Sequence, residues 1–326
     1  MRYSILGSTG VKVSRICLGT ATFGVAPNVE DADGVVGAAL DLGINFVDTA
    51  DVYGDMPVFD RPGAPAASDR EAAEQILGRA LRGRRDEVVI ATKSHGQVGP
   101  GINDRGLSRR HIVRQIETSL RRMGTDYIDL YYAHNPDPDT PLEQTLAVYD
   151  DLIRQGKIRY FGLSNHPAWQ VTEALWIADD RRQHAPAATQ VKYNLIDRSA
   201  QHELAPACHR FGLSIVAYAP LHGGLLADLR VLDREVAGDQ RFSGRGFSES
   251  EIAIAREVDT LSREWGLALN QVSLAWLLSR PAVASAIVGA ETIDELHANA
   301  SAADIDLDVS QLEALTALTS GTAAMS

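Results

Sequence analysis

The 326-residue sequence predicts an α/β fold of the (β/α)8 TIM-barrel class, with an N-terminal β-hairpin and long loops on the catalytic face. Three observations lead there. Short β-branched or aromatic runs alternate with longer helical stretches along the chain, the pattern of parallel strands joined by crossover helices. Eight such units can be counted, enough to close a barrel. The polar side chains able to do chemistry fall at the C-terminal ends of the runs, the face on which such barrels carry their active sites.

The first segment, YSILGSTGVKVSRI, reads as two short strands around a Ser-Thr-Gly turn, a hairpin that would plug the barrel's bottom. The eight strands follow at 16–20, 45–50, 88–93, 129–134, 160–165, 188–194, 214–220 and 285–290. Helices are expected at 31–42, 70–82, 108–122, 142–154, 167–179, 201–211, 250–279 and 292–301. Ser108 before RRHIVRQIETSL and Thr140-Pro141 before LEQTLAVYDDLI mark two helix starts. The loops 54–69 and 221–249 exceed ordinary length, and both follow strands, so both belong to the catalytic face. No linker interrupts the pattern, so residues 1–326 are expected to form one barrel domain.

Composition narrows the function. A content of 45% hydrophobic and 23% charged residues suits one large core, and 31 basic against 43 acidic side chains give a net charge of -12. That charge repels nucleic acid and anionic membrane, leaving small molecules as the expected partners. With no apolar leader and no long apolar run, the expectation is a cytoplasmic protein, either a monomer or a homo-oligomer. Cys17 and Cys208 are far apart in apolar surroundings and read as core thiols, so neither a disulfide framework nor a metal site is expected.

Four candidates cluster at strand ends. Asp48 ends the second strand, Tyr53 lies in the loop after it, Lys93 ends the third and His134 the fourth. Singly, each has an ordinary reading: a capping carboxylate, a loop tyrosine, a solvent-reaching lysine, a histidine bonded to a loop. Together, on consecutive strands, they can share one proton network. A phenol with a pKa near 10 is a poor acid unless a cation stabilises its anion. At about 4 Å and an effective dielectric near 20, Lys93 would supply roughly 4 kcal/mol, about 3 pKa units downward for Tyr53. Asp48 would keep Lys93 charged and His134 would orient a substrate carbonyl or relay a proton.

The segments FVDTADVYG, IATKSHG and DLYYAHNPD resemble those carrying the Asp, Tyr, Lys and His tetrad of the aldo-keto reductase superfamily, and the likeness spans nearly the whole chain. It continues through LGTATFG, FGLSNH, TQVKYNL, VAYAPLHGGLL and IVGAETIDELHAN. The resemblance implies an NAD(P)(H)-dependent oxidoreductase interconverting an aldehyde, ketone or sugar and its alcohol, with Tyr53 as general acid or base. It also implies a nicotinamide cofactor bound without a Rossmann fingerprint, in keeping with the missing GxGxxG. By the same resemblance, Ser164, Asn165 and Gln190 would bond the carboxamide, Tyr218 would stack on the nicotinamide, and Gly19, Thr20 and Asp48 would line that site. The segment from Leu221 to Leu225, which includes Gly223, would hold the pyrophosphate with backbone amides, where glycines permit close approach, and Ala219 and Pro220 before it would also contact the cofactor. Gly289, Glu291, Glu295 and Asn299 would face the adenosine. Thr22, Phe23, Tyr53, His95 and Trp169 would wall the substrate pocket, and Arg241 and Arg245 would be solvated loop residues or contacts to an anionic group. The long loops and GLSRRHI are similar to the branch containing potassium-channel β-subunits and bacterial sugar-aldehyde reductases.

Two departures from the family pattern matter. NADP(H) is the family's usual cofactor, yet Glu291, Asp294 and Glu295 stand where relatives offer cations to the 2'-phosphate. Glu291 can accept from the ribose hydroxyls of NAD(H), which makes NAD(H) a rival. Lys192 stands where relatives carry Glu, and strand alternation puts it on the face of Gln190, directed into the barrel. Two alternatives to the reductase follow: a nucleotide-binding regulatory subunit with slow turnover, and a Schiff-base lyase using Lys192.

Overall fold

The computed structural model describes residues 1–233 and 246–318. The eight barrel strands are β3 (Ile16–Gly19), β4 (Phe46–Asp48), β5 (Val89–Ser94), β6 (Ile128–Ala133), β7 (Ile158–Ser164), β8 (Ala188–Lys192), β9 (Ser214–Tyr218) and β10 (Val283–Gly289). They close in that order, β10 pairing with β3, and every pairing is parallel. The hairpin comprises β1 (Tyr3–Ile5) and β2 (Lys12–Ser14).

Strand alternation builds the lumen. Cys17, Phe46, Ala91, Leu130, Tyr132, Ala188, Val216 and Ile287 form one buried cluster, into which the hairpin inserts Leu6 and Val13. The bottom is tied by Gly7 N donating to Ser214 Oγ at 2.6 Å and Ser4 Oγ donating to the Ala284 carbonyl at 2.7 Å. Because side chains alternate with a period of two, the next lumen-facing positions above this apolar layer are Asp48, Lys93, Gln190 and Tyr218, each two residues beyond a cluster member. Glycine at 162 is required here, since a Cβ would collide with the ring of Tyr132 that fills the lumen.

The helices are α1 (Val29–Asp41), α2 (Ala73–Ala80), α3 (Arg109–Met123), α4 (Leu142–Arg154), α5 (Ala168–Arg181), α6 (Leu204–Phe211), α7 (Glu249–Glu264), α8 (Leu269–Leu278), α9 (Ile293–Ala300) and α10 (Val309–Leu318). In α3, Ser108 Oγ accepts from His111 N at 3.3 Å, Gly124 ends the helix at φ 65°, and Ile112, Ile116, Leu120 and Met123 bury one stripe. Each of those side chains contributes about 1.5–3 kcal/mol by leaving water.

Four sequence expectations change. The stretch 250–279 is two helices, because Gly266 turns the chain at φ 69°. An unanticipated α10 follows β10 and α9, its start fixed by Asp308 Oδ1 accepting from Gln311 N while Gln311 Oε1 accepts from Asp308 N, both at 2.9 Å. Thr140 does not cap α4; its hydroxyl donates to Asp137 Oδ2 at 2.8 Å, and Pro141 occupies the cap position without a side-chain bond. The loop 54–69 contains two short 3-10 turns, Pro57–Phe59 and Ala67–Asp69. Cys17 and Cys208 are free and buried, and among the described residues no helix is long and apolar enough to cross a membrane.

Candidate active site

Four strand ends converge on Lys93. Its ammonium, with 0% of the side chain exposed, donates to Asp48 Oδ1, to the Thr49 carbonyl at 2.7 Å and to Tyr53 Oη at 3.3 Å. Gln190 Nε2 donates to the other oxygen of Asp48 at 2.7 Å, so both carboxylate oxygens are engaged. The rings of Tyr53 and His134 meet edge to face with centroids 6.0 Å apart. The structure therefore brings all four expected residues together.

Burial opposes the charge on Lys93, but Asp48 and Tyr53 outweigh it and hold its pKa above the usual value. Burial likewise raises the Asp48 carboxyl against the pull of Lys93 and Gln190. Burial and then Lys93 push His134 down to about 3, leaving a neutral imidazole at physiological pH. Tyr53 overturns an expectation. The cation was expected to bring the phenol well below 10, whereas burial is the larger influence and Asp48 adds to it, so the net direction is upward despite Lys93. The phenol stays protonated at neutral pH.

Beside the tetrad, Tyr218 Oη donates to Asn165 Oδ1 at 2.9 Å, and Asn165 Nδ2 donates to the His134 carbonyl at 2.9 Å and to Ser164 Oγ at 3.2 Å. Ser164, Asn165, Gln190 and Tyr218 thus form a continuous wall from β7 to β9. Asn165, Ala219 and His222 are non-glycine residues at φ 60°, 48° and 48°, all just past strand ends on this face. Such strained conformations cluster where a backbone must be aimed. Pro220 and Leu221 lie within the turn, and Gly223 and Gly224 continue it at φ 66° and 97°. His222 Nε2 lies 2.9 Å from Glu251 Oε1 at the start of α7, a tie between this turn and a helix that the sequence did not reveal.

Other expected residues sit differently. Gly19 and Thr20 are fully buried, and Thr20 Oγ1 donates to the Asp48 carbonyl at 3.1 Å, supporting the tetrad from behind. Phe23 is 1% exposed and belongs to the main core, so it does not wall a pocket, and the Thr22 hydroxyl is spent on the Ala26 carbonyl. His95 is partly exposed at the end of β5, whereas Trp169 is 63% exposed in the first turn of α5. Lys192 does not enter the barrel: it stands at the mouth, 40% exposed, with Nζ 3.2 Å from Asp197 Oδ2. A cleft of about 430 Å³ opens there between Asn165, Lys192, His202 and Tyr218. Gly289 faces open space. Glu295 Oε2 accepts from Glu291 N at 2.9 Å, and Asn299, 6% exposed, accepts from Asn270. Glu291 is joined by Arg61 from the loop after β4, Nη2 to Oε1 at 2.5 Å and Nη1 to Oε2 at 3.2 Å. Arg241 and Arg245 lie outside the described residues.

Residues 15–320 match the model of the Aldo/keto reductase family. The chain is 36% identical to the uncharacterized oxidoreductase YrpG of Bacillus subtilis, covering 94% of this chain and 93% of that protein. It is 33% identical to a probable voltage-gated potassium channel subunit beta of Oryza sativa, covering 94% and 92%. With the versiconal hemiacetal acetate reductase of Aspergillus parasiticus the identity is 30%, over 97% of this chain and 96% of the relative.

Proposed function

We propose, from the premise that this chain belongs to the aldo/keto reductase family, that it reduces a small aldehyde, ketone or sugar carbonyl, and oxidises the corresponding alcohol, with Tyr53 as proton donor and acceptor. The observation that carries this reading is the Asp48, Lys93 and Tyr53 chain of hydrogen bonds at the barrel mouth. A nicotinamide dinucleotide supplies the hydride. The residues present fit it: Ser164, Asn165 and Gln190 offer donors and acceptors beside Asp48, Tyr218 offers an aromatic face, the turn through Gly223 and Gly224 leaves backbone accessible, and Gly289 keeps the groove open.

The upward shift of Tyr53 suits the donor half of this role, the reducing direction. A phenol that remains protonated is ready to donate, and a substrate alkoxide would be a far stronger base than a tyrosinate, so proton transfer from Tyr53 to that oxygen would run downhill. Lys93 then stabilises the phenolate left behind, and Asp48 holds Lys93 in place. His134, neutral, acts as a hydrogen-bond donor that orients the carbonyl oxygen rather than as an imidazolium.

The potassium-channel relatives are named as channel subunits, which leaves room for a second reading of this chain as a subunit of an assembly, here taken as one that holds a nucleotide and turns over slowly. The exposed, ion-paired Lys192 gives no such support to Schiff-base chemistry, which requires a desolvated amine. One experiment separates them. The wild-type protein is titrated with NADPH and NADH by fluorescence, and its turnover of an aryl aldehyde is compared with that of Tyr53→Phe. Binding with turnover that falls roughly 10²- to 10⁴-fold in the variant supports the reductase. Tight binding with negligible wild-type turnover supports the subunit, and no binding of either dinucleotide overturns both.

A further inference from the structure

We propose that Glu74 and Arg122 are positioning residues for Tyr53, a carboxylate and guanidinium bracket beneath the loop that sets the phenol against Lys93. The proposal rests on the preceding reading of Tyr53 as proton donor. Tyr53 is carried by a loop, five positions beyond Asp48, and a loop side chain holds a 3.3 Å contact only if its backbone is fixed. Three backbone bonds fix it. Asp51 N donates to the Lys93 carbonyl at 3.2 Å, Tyr53 N to the Ala50 carbonyl at 3.1 Å, and Ala73 N, at the start of α2, to the Tyr53 carbonyl at 2.8 Å.

The side chains of Glu74 and Arg122 join these anchors. Arg122, in the last turn of α3, donates through Nη1 to the Asp51 carbonyl at 2.8 Å and to Glu74 Oε2 at 3.1 Å. Glu74, with 0% exposed, accepts through Oε1 from Thr92 Oγ1 at 2.7 Å, and Thr92 is the residue before Lys93. One buried carboxylate therefore connects the strand bearing Lys93, the helix whose amide holds Tyr53, and the arginine that holds Asp51. The loop has no slack on this side: at Gly54, φ 108°, a Cβ would come within 2.9 Å of the Ala72 and Ala73 backbone.

Asp51 sharpens the assignment. Its carboxyl is buried, and neither oxygen has a hydrogen-bond partner among the described residues. Burial first and Glu74 second raise it well above its ordinary value, while Arg122 bonds the Asp51 backbone carbonyl and the Glu74 side chain rather than the Asp51 carboxyl. An ion pair whose carboxylate is fully buried is a poor stabiliser relative to apolar packing, so the role assigned to Glu74 and Arg122 is the geometry they impose on the loop.

A second pair in the same protein serves as control. Arg85 Nη2 donates to Asp129 Oδ2 at 2.7 Å, and the same oxygen accepts from Ile90 N at 2.9 Å, at the opposite end of β5 and β6. The test compares full-length Glu74→Gln, Arg122→Met, Arg122→Lys, Asp129→Asn and Tyr53→Phe in kcat, KM for 4-nitrobenzaldehyde, Kd for NADPH and NADH by fluorescence, and Tm. Glu74→Gln and Arg122→Met are expected to lower kcat about tenfold to a hundredfold with the dinucleotide Kd within about twofold, and Arg122→Lys to recover part of the loss. Asp129→Asn is expected to lower Tm comparably while keeping kcat. Where Arg122→Met fails to fold, Glu74→Gln and Arg122→Lys carry the comparison. If the Glu74 and Arg122 variants lose no more kcat than Asp129→Asn while Tyr53→Phe is crippled, the bracket falls and the reductase stands. A fully active Tyr53→Phe overturns both.

Discussion

The two ends of the barrel mouth are held in different ways. At the Tyr53 end, Lys93, Asp48, Gln190 and the supporting backbone bonds all lie on or directly against the strands, with the charged groups buried. At the Glu291 end, a loop is tied to the residue before the α9 cap by an ion pair, with side chains 16% and 19% exposed. A site built on strands has its geometry dictated by the sheet, whereas one closed by loop arginines can be opened by whatever competes for the charge. On the proposed function, the difference would separate chemistry from cofactor selection.

The strongest way to break this contrast is at Lys93. Replacing it by Met removes the phenolate's stabiliser and leaves the Asp48 carboxylate buried without its cation. Turnover is expected to fall at least about a hundredfold and unfolding stability by roughly 3–5 kcal/mol. Steady-state kinetics and urea denaturation measure both, and a loss of stability without loss of turnover would remove Lys93 from the chemistry.

The opposite end sharpens the contrast by an intermediate effect. On the proposal that Glu291 faces the 2'-phosphate position, Arg61→Ala takes one cation away from the Glu291 carboxylate, while Glu291→Gln removes the like charge. The ratio of NADPH to NADH affinity is expected to shift about tenfold downward in the first and upward in the second, on the order of 1.4 kcal/mol each, with kcat nearly constant. Fluorescence titration of both variants reads the shift, and equal ratios in all three proteins would exclude the pair from cofactor choice.

A third effect concerns pH. His134 is depressed to about 3 and His166 to about 4, mainly by burial, so the unfolded chain binds more protons than the native one between those values and about 6.5. Stability is therefore complete above about pH 6.5 and is lost as pH falls toward the native values. His134→Gln is expected to reduce the slope of stability against pH by about one proton over that window. Urea melts from pH 4 to 7 test it.

These residues also show what the sequence discloses. The barrel and the tetrad are legible because strand alternation is local: once Phe46 and Ala91 are inward, Asp48 and Lys93 are inward too. Lys192 obeys the same alternation but sits past the rim, where Asp197 draws it aside, so periodicity alone misdirects there. Phe23 went wrong for a related reason, since its loop folds back into the core. Arg122 and Glu74 lie 48 positions apart, and Arg61 and Glu291 lie 230 apart. No periodicity connects such pairs, so only the folded chain reveals them. Gly266 and the Asp308 cap were readable signals of a helix break and of α10 that the pattern of eight units obscured.

The hairpin at the base has a practical consequence. With Leu6 and Val13 seated in the lumen, β1 and β2 place the amino terminus on the side of the barrel away from Tyr53, with Met1 N 3.5 Å from Asp304. A surface or fusion partner attached through a spacer at that terminus would face away from the opening. Immobilised in this orientation, the molecules would all present the same rim to the medium, giving a directional layer without further engineering.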